Sequence, residues 1–342
     1  MYMKKSFFFL SLLLMGAGCA SIEPAESIPE TNSTQIEDPV SVDVDDAQTE
    51  PVVQDETATS QDSSEDQTDT SSVQVVDDNT NIVGSLFTTA QGAVDTRSLS
   101  SPARNSLYSC TATKMGTALD RSWVGEDGVI ALADKPVVEG SIDWESSLNV
   151  AVDSAVRLIT GNGLPDHKTG GFPVRPGSEA SSYDRNPNRI SSYSLSYEIP
   201  ADPVIAEEPG CLPMGPIGVM LTGAVFYNAL DADNRDAVAN EVFDACEGHP
   251  QDRGQYHYHH LSSCMDYEDG IGHSPLIGYA LDGFGIYGPF GDDGSVITNA
   301  DLDECHGHVG MVEDENGSIL EIYHYHANNE FPYTLGCLKG EK

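Results

Sequence analysis

The residues of this chain best suited to chemistry are its histidines. His257 and His259 stand in Tyr256-His257-Tyr258-His259, and His324 and His326 stand in Tyr323-His324-Tyr325-His326. On a β-strand, side chains two apart point to the same face. Each segment therefore predicts two imidazoles on one face and two phenols on the other. A neutral imidazole nitrogen is a ligand for zinc, copper, iron or nickel, and two at this spacing make a chelating edge. The lead-in to each segment is also shared. Phe243-Asp244-Ala245-Cys246-Glu247-Gly248-His249 precedes the first, Leu302-Asp303-Glu304-Cys305-His306-Gly307-His308 precedes the second, and Cys264 and Cys337 close the two copies. Nine positions match in the same order, so the chain contains a weak internal repeat with units 243–264 and 302–337. The metal-ligand candidates are His249, His257, His259, His308, His324 and His326. His167 and His306 are further pocket candidates. Asp244 and Asp303 are read as caps of local turns, or as carboxylates orienting a ligating imidazole through its other nitrogen. The two halves are expected to face one another and bring their imidazoles to a common centre. Four nitrogens would suit tetrahedral zinc or tetragonal copper. A purely structural histidine network is the alternative.

Two loops offer other chemistry. Asp282-Gly283-Phe284-Gly285-Ile286-Tyr287-Gly288 reads as a tight turn, or as a pocket wall with Asp282 as an acid or base. It lacks the lysine and helix of a phosphate-binding loop. Asp292, Asp293, Asn299, Asp301 and Asp303 place oxygen ligands at loop spacing, which makes calcium an alternative ion, though the twelve-residue EF-hand pattern is not present.

The first residues set the compartment. Lys4 and Lys5 precede an apolar run from Phe7 to Met15, and Gly16-Ala17-Gly18-Cys19 follows. A charged start, a short apolar run and small residues before a cysteine predict a lipoprotein signal peptide over 1–19, with Cys19 as the lipidated residue. Ala20, where a retention Asp would otherwise stand, implies an outer-membrane lipoprotein of a bacterial cell envelope, held to the membrane by its lipid. Residues 20–80 contain 17 Asp plus Glu and no Lys or Arg. Such a stretch buries too little apolar surface to offset ordering entropy and is expected to be a disordered acidic tether. The whole chain carries a net charge of −39 with 16 Lys plus Arg. That excludes a generic nucleic-acid binder, which depends on cationic contacts to phosphate. Export makes the six remaining cysteines an even, oxidisable set. Cys246 with Cys264 and Cys305 with Cys337 would staple each copy, leaving Cys110 with Cys211; cross-pairing between copies is the rival.

From about residue 81 to 342 the composition is that of one folded domain. Short strand-like runs occur at Val129–Leu132, Val137–Ile142, Leu148–Val152, Ala155–Ile159, Ser191–Ile199, Ile217–Phe226, Leu276–Leu281 and Ile319–Tyr325, separated by turn signals such as Asn162-Gly163 and Asn316-Gly317. One helix is predicted over Asn234–Phe243, capped by Asp231 or Asp233. The expected fold is mainly β: a sandwich or partly closed barrel with a short helix, stapled by disulfides.

These motifs resemble the YHYH-domain family of mostly exported bacterial proteins. The resemblance runs over roughly 105–340 and includes Asn162-Gly163-Leu164-Pro165-Asp166-His167, Gly215-Pro216-Ile217-Gly218-Val219 and Ile277-Gly278-Tyr279-Ala280-Leu281-Asp282-Gly283. Gly285 stands where the family usually has Pro, and Glu247 where it often has Gly. The resemblance implies domain limits and no settled activity. Two functions remain in view: a tethered copper- or zinc-binding protein, with a metalloenzyme as its extended form, and a non-catalytic surface module with structural or pH-responsive histidines.

Overall fold

The structure, a computed structural model, describes residues 86–88, 99–267, 272–314 and 317–341. All of these lie in a compact unit spanning Ser72–Lys342. The signal segment, Cys19 and the acidic stretch 20–80 lie outside the described residues.

The domain is built on an open eight-stranded sheet. Its strands are β7 (Pro216–Met220), β8 (Val225–Tyr227), β9 (Gly248–Pro250), β10 (Tyr256–Tyr258), β11 (Leu276–Ala280), β12 (Gly285–Tyr287), β13 (Gly307–Glu313) and β14 (Ile319–His326). Their order is β13-β14-β12-β11-β7-β8-β10-β9, which reads as two four-stranded halves meeting at the antiparallel pair β11–β7. Each half is the same unit: a hairpin, a parallel pairing of its second strand with the Tyr-His-Tyr-His strand, and an antiparallel pairing of that strand with the Gly-His strand. Val219 opposes Tyr279 at the seam, with Gly218 opposite Ala280 and Met220 opposite Gly278. Val219 and Tyr279, 60 positions apart, thus sit at a local two-fold, with the flanking pairs 62 and 58 positions apart. The repeat therefore starts near Pro216 and Leu276, well before the 243 and 302 read from the cysteine motif.

The hairpins turn at Gly223 (φ +91°) and Gly283 (φ +94°), in the left-handed region open to glycine. This turn divides the run Ile217–Phe226, expected as one strand, into β7 and β8.

A second sheet, β3 (Leu148–Asp153), β4 (Val156–Gly161) and β5 (Leu195–Pro200), is an antiparallel meander. Ile159, Leu195 and Ile199 from it pack with Val219, Val225 and Tyr279, which face it from the middle of the large sheet. On the opposite face of the large sheet, Met220, Phe226, Tyr258, Ile286 and Tyr325 join the main core with Trp123, Leu212, Phe284 and Tyr333. The arrangement is a sandwich with one large and one small sheet. The large sheet is not closed into a barrel. Short pairs complete the fold: β1 (Leu86–Thr88) with β2 (Val129–Ala131), and β6 (Ile205–Gly210) with β15 (Leu338–Gly340).

Two further local expectations are corrected. Val137–Ile142 forms no strand and makes only isolated bridges, Val138 to Asp244 and Ile142 to Thr169. The helix is a single turn, α1 (Ala237–Asn240), whose cap is Asp236, accepting from Ala239 N–H at 3.3 Å. Asp231 is taken up by its own turn, accepting from the amides of Asp233 and Arg235 (2.9 and 2.8 Å) and from Arg235 Nε (2.6 Å), so the chain cannot enter the helix earlier. Three disulfides are present, Cys110–Cys211, Cys246–Cys264 and Cys305–Cys337, the last two each within one repeat. Among the described residues no helix is long and apolar enough to cross a membrane.

Candidate metal centres

Strand alternation sorts the Tyr-His-Tyr-His residues. Tyr258 pairs beside Phe226 and Tyr325 beside Ile286, so the phenols enter the main core. His257 pairs beside Val225 and His326 beside Tyr287, so the imidazoles take the face that carries the small sheet. The cross-strand neighbour is again a histidine: His249 opposite His257, and His308 opposite His324. Three imidazoles thus gather on each half from two antiparallel strands. The glycine before His249 and His308 makes room for this pairing. A Cβ at Gly248 would lie 2.3 Å from Tyr256 Cζ, and one at Gly307 would lie 2.5 Å from Tyr323 Oη.

The halves do not bring their imidazoles together. Five strand steps separate β14 from β10, about 24 Å at a typical strand spacing of about 4.8 Å. The single shared centre expected from the repeat is replaced by two clusters flanking the small sheet. The two-fold relates them across the seam and holds them apart.

The cluster on β13 and β14 contains His308, His324, His326 and a fourth histidine, His273, from the segment before β11. His324 Nε2 lies 3.1 Å from His273 Nε2, 3.0 Å from His308 Nε2 and 3.0 Å from His326 Nε2; His308 and His326 are 3.2 Å apart. Four nitrogens on a tetrahedral ion bonded at about 2.0–2.1 Å would be about 3.3 Å apart, so the cluster is close to a preformed coordination shell. The opposite ring nitrogens meet main-chain carbonyls. His273 Nδ1 meets Ser274 O (2.7 Å), His324 Nδ1 meets Ile322 O (3.0 Å), and His326 Nδ1 meets Gly288 O (2.6 Å). A carbonyl only accepts, so these Nδ1 atoms carry the hydrogen and the Nε2 atoms present lone pairs. Burial favours the neutral form of three of these rings. It holds His324 down to about 3, and it lowers His326 and His308, assisted by neighbouring imidazoles. The Nε2 lone pairs of His273 and His326, 3.1 and 3.0 Å from that of His324 with no proton between them, repel unless a cation sits among them. The residues present fit a metal ion.

This centre is open on one side. His273 and His308 are half-buried, whereas His324 and His326 are buried. His273 and His324 form part of the wall of a groove of about 1520 Å³ between the small sheet and β13–β14, with Leu276, Tyr287, Met311, Leu320 and Ile322 beside them.

The cluster on β9 and β10 is closed. His249, His257 and His259 are 2–3 % exposed, and their ligand atoms lie within 4.8 Å of one another. His257 Nδ1 meets Gln255 O at 3.2 Å and His259 Nδ1 meets Asn228 O at 2.6 Å, again leaving Nε2 as the lone-pair atom. Tyr227 stacks on His257 with centroids 3.8 Å apart. The chain around Asn186–Ser191 lies over this cluster, with Asn186 Nδ2 donating to Pro250 O (2.9 Å) and Ser191 N–H to Gly254 O (3.0 Å). Glu241 Oε2 is 3.5 Å from both His249 Nε2 and His259 Nε2. Burial lowers the pKa of all three histidines, His259 to about 4, and raises Glu241 to about 8.

The remaining candidates serve the framework. Asp244 accepts from Cys246 N–H (3.0 Å), Gly170 N–H (2.9 Å) and Tyr256 Oη–H (2.9 Å). Asp303 accepts from Cys305 N–H (2.8 Å) and Tyr323 Oη–H (3.0 Å), and pairs with Lys339 (3.0 Å). Both hold the Asp-x-Cys-x-Gly turn to the phenol behind it, and carbonyls orient the imidazoles instead. Asp282 is fully buried, accepting from Tyr325 Oη–H (2.6 Å) and Gly340 N–H (2.8 Å), and it does not line the groove. His167 Nε2 lies 2.5 Å from Tyr258 Oη, behind the sheet. It also approaches Cys246 and Cys264, whose disulfide removes both thiolates as ligands. His306 is buried between His326 O (2.8 Å) and Asn299 Oδ1 (2.7 Å). In the proposed calcium loop, Asp293 and Asp301 cap Ser295 and Thr298, and among the described residues these acids do not converge as a ligand group.

Sequence reading missed His273 and Glu241. Neither belongs to the duplicated motif, and Pro213 stands 60 residues before His273. The one available signal was that His273 is a histidine three residues before the strand bearing Gly278-Tyr279. Glu247 and its counterpart His306 both take left-handed backbone (φ +58° and +73°), which accounts for a glycine preference at that position.

Residues 196–296 match the family model described as YHYH protein. The match takes in β7 to β12 and the first Tyr-His-Tyr-His segment. Comparison with curated proteins and with solved structures found no match.

Proposed function

From a chain that belongs over residues 196–296 to the YHYH protein family, we propose a metal-binding protein whose His273–His308–His324–His326 centre holds a copper or zinc ion. The observation that carries this reading is the convergence of the His273, His324 and His326 Nε2 lone pairs at 3.0–3.1 Å, with their Nδ1 hydrogens committed to carbonyls and His308 Nε2 3.0–3.2 Å from two of them. His273, His308, His324 and His326 would hold the ion; zinc would be satisfied by these four nitrogens, whereas copper would be able to take a further ligand. An ion here is reachable from the groove past the half-buried His273, which lines its wall. Copper would therefore allow an exogenous ligand to bind; zinc would make the centre a holding site.

The cellular setting is part of the same proposal. The signal-like 1–19 segment ending at Cys19, the acidic 20–80 stretch and three disulfides support an exported, lipid-tethered protein of the bacterial envelope. Elemental analysis of untagged full chain from its native compartment, alongside a His273→Ala/His308→Ala variant, tests the reading. One fewer copper or zinc per chain in the variant is the expected result. Equal metal content in both would leave the structural-histidine module as the better account.

A further inference from the structure

The closed cluster carries a different ligand set from the open one. We propose that His249, His257, His259 and Glu241 form a second metal site, buried and mixed nitrogen–oxygen in character, for a divalent first-row transition ion. Two observations point to a ligand. His249 is 3 % exposed, and its Nε2 has no hydrogen-bond partner among the described residues; nor has the buried Glu241 Oε2, 3.5 Å away. Glu241 Oε2 is also 3.5 Å from His259 Nε2, whose Nδ1 is held by Asn228 O, so a carboxylate oxygen and imidazole lone pairs face a common space. Buried polar atoms are nearly always satisfied, and atoms separated by 3.5 Å are spaced for a shared ion rather than for a direct bond. Asn186 Nδ2, 3.5 Å from His249 Nδ1, is too distant to fix the tautomer of that ring.

The duplicated strands supply the same three histidines on each half, and the fourth ligand comes from elsewhere. It is His273 before β11 on one side, and Glu241 directly after α1 on the other. The charge balance follows. A divalent ion among four neutral imidazoles keeps its full charge and suits the solvent-facing groove. An ion sealed beneath Asn186–Ser191 needs an anion, which Glu241 supplies, with Asp184 as a second acid within 4.8 Å of Glu241 and His249 only. Lys135, over the Phe243 ring at 4.0 Å, is the opposing positive group, and its ammonium is directed to Val238 O at 2.6 Å. Oxygen in the ligand set shifts preference towards harder ions than an all-imidazole set. Closure makes exchange slow, as in structural sites.

The test uses the full chain carrying His273→Ala and His308→Ala, stripped of metal and titrated with cobalt(II), whose visible bands report the ligand field. One equivalent bound per chain is expected. Adding Glu241→Gln should weaken that binding at least tenfold and shift the bands. X-ray absorption of the zinc-loaded His273→Ala/His308→Ala chain needs no change at Glu241 and should show three imidazoles with an oxygen donor. Absence of stoichiometric cobalt uptake in that variant, or uptake indifferent to Glu241→Gln, overturns the second site. Two equivalents in the unaltered chain and one in the variant support both sites; one in each would sink the open centre alone.

Discussion

His308→Ala separates coordination from folding at the open centre. The ring is half-buried, and its Nε2 faces His324 and His326 at 3.0 and 3.2 Å. In metal-free protein its removal takes away two imidazole contacts of a half-buried ring and resembles a surface substitution, worth within about 0.5 kcal/mol of zero. With zinc the balance changes. At a hundred times the dissociation constant the ion stabilises the native chain by about 2.7 kcal/mol. If loss of one ligand in four weakens binding about a hundredfold, the same zinc leaves about 0.4 kcal/mol. The difference, about 2 kcal/mol, corresponds to roughly 4–8 °C in melting temperature for a domain of this size. Thermal melts by circular dichroism, with chelator and with fixed free zinc, read it directly. The closed cluster contributes equally to both proteins and cancels. A variant that gains as much from zinc as the unaltered chain, or that is already several degrees less stable in chelator, would refute the reasoning.

Three further outcomes follow from the same geometry. His306 is fully buried and held down to about 4 against an ordinary 6.5. The unfolded chain therefore takes up protons first, and stability present above pH 6.5 is lost as pH falls towards 4, by about 3 kcal/mol from this residue alone; urea midpoints of metal-free protein at pH 7 and pH 4.5 check the sign. Cys305→Ser with Cys337→Ser opens a staple 32 residues apart and should cost roughly 3–4 kcal/mol by loop entropy, read as a fall in the denaturant midpoint. Tyr325→Phe removes a 2.6 Å bond to the buried Asp282 and strands Lys339 N–H, which donates to the same oxygen at 2.7 Å. It should cost about 1–3 kcal/mol without altering metal content, because the phenol lies on the face opposite the imidazoles.

The local chemistry was legible because strand alternation is a property of the backbone. Tyr-His-Tyr-His could only divide two and two, and Tyr258 and Tyr325 do enter the core while His257 and His326 take the other face. The mainly β architecture and the short helix were legible from turn signals and apolar runs. The helix was overlong because Asp231 binds its own turn. Asp282 and His167 looked like pocket residues and prove to hold Tyr325 and Tyr258 from behind the sheet. Nothing in their spacing distinguishes a buried hydrogen-bond partner from a catalytic acid.

By itself, then, the sequence determined which repeated histidines could act as ligands, which face the Tyr-His-Tyr-His side chains would take, and that the unit occurs twice. Only the tertiary structure decided how many centres result. The seam pairs β7 with β11, so the duplicated strands lie at opposite ends of one sheet and their imidazoles cannot meet. It also decided what completes each cluster. His273 and Glu241 arrive from non-repeated segments through chain folding over long range, and the Asn186–Ser191 segment covers one cluster while a groove exposes the other. Periodicity encodes contacts along and between strands; closure by a distant loop leaves no period to read.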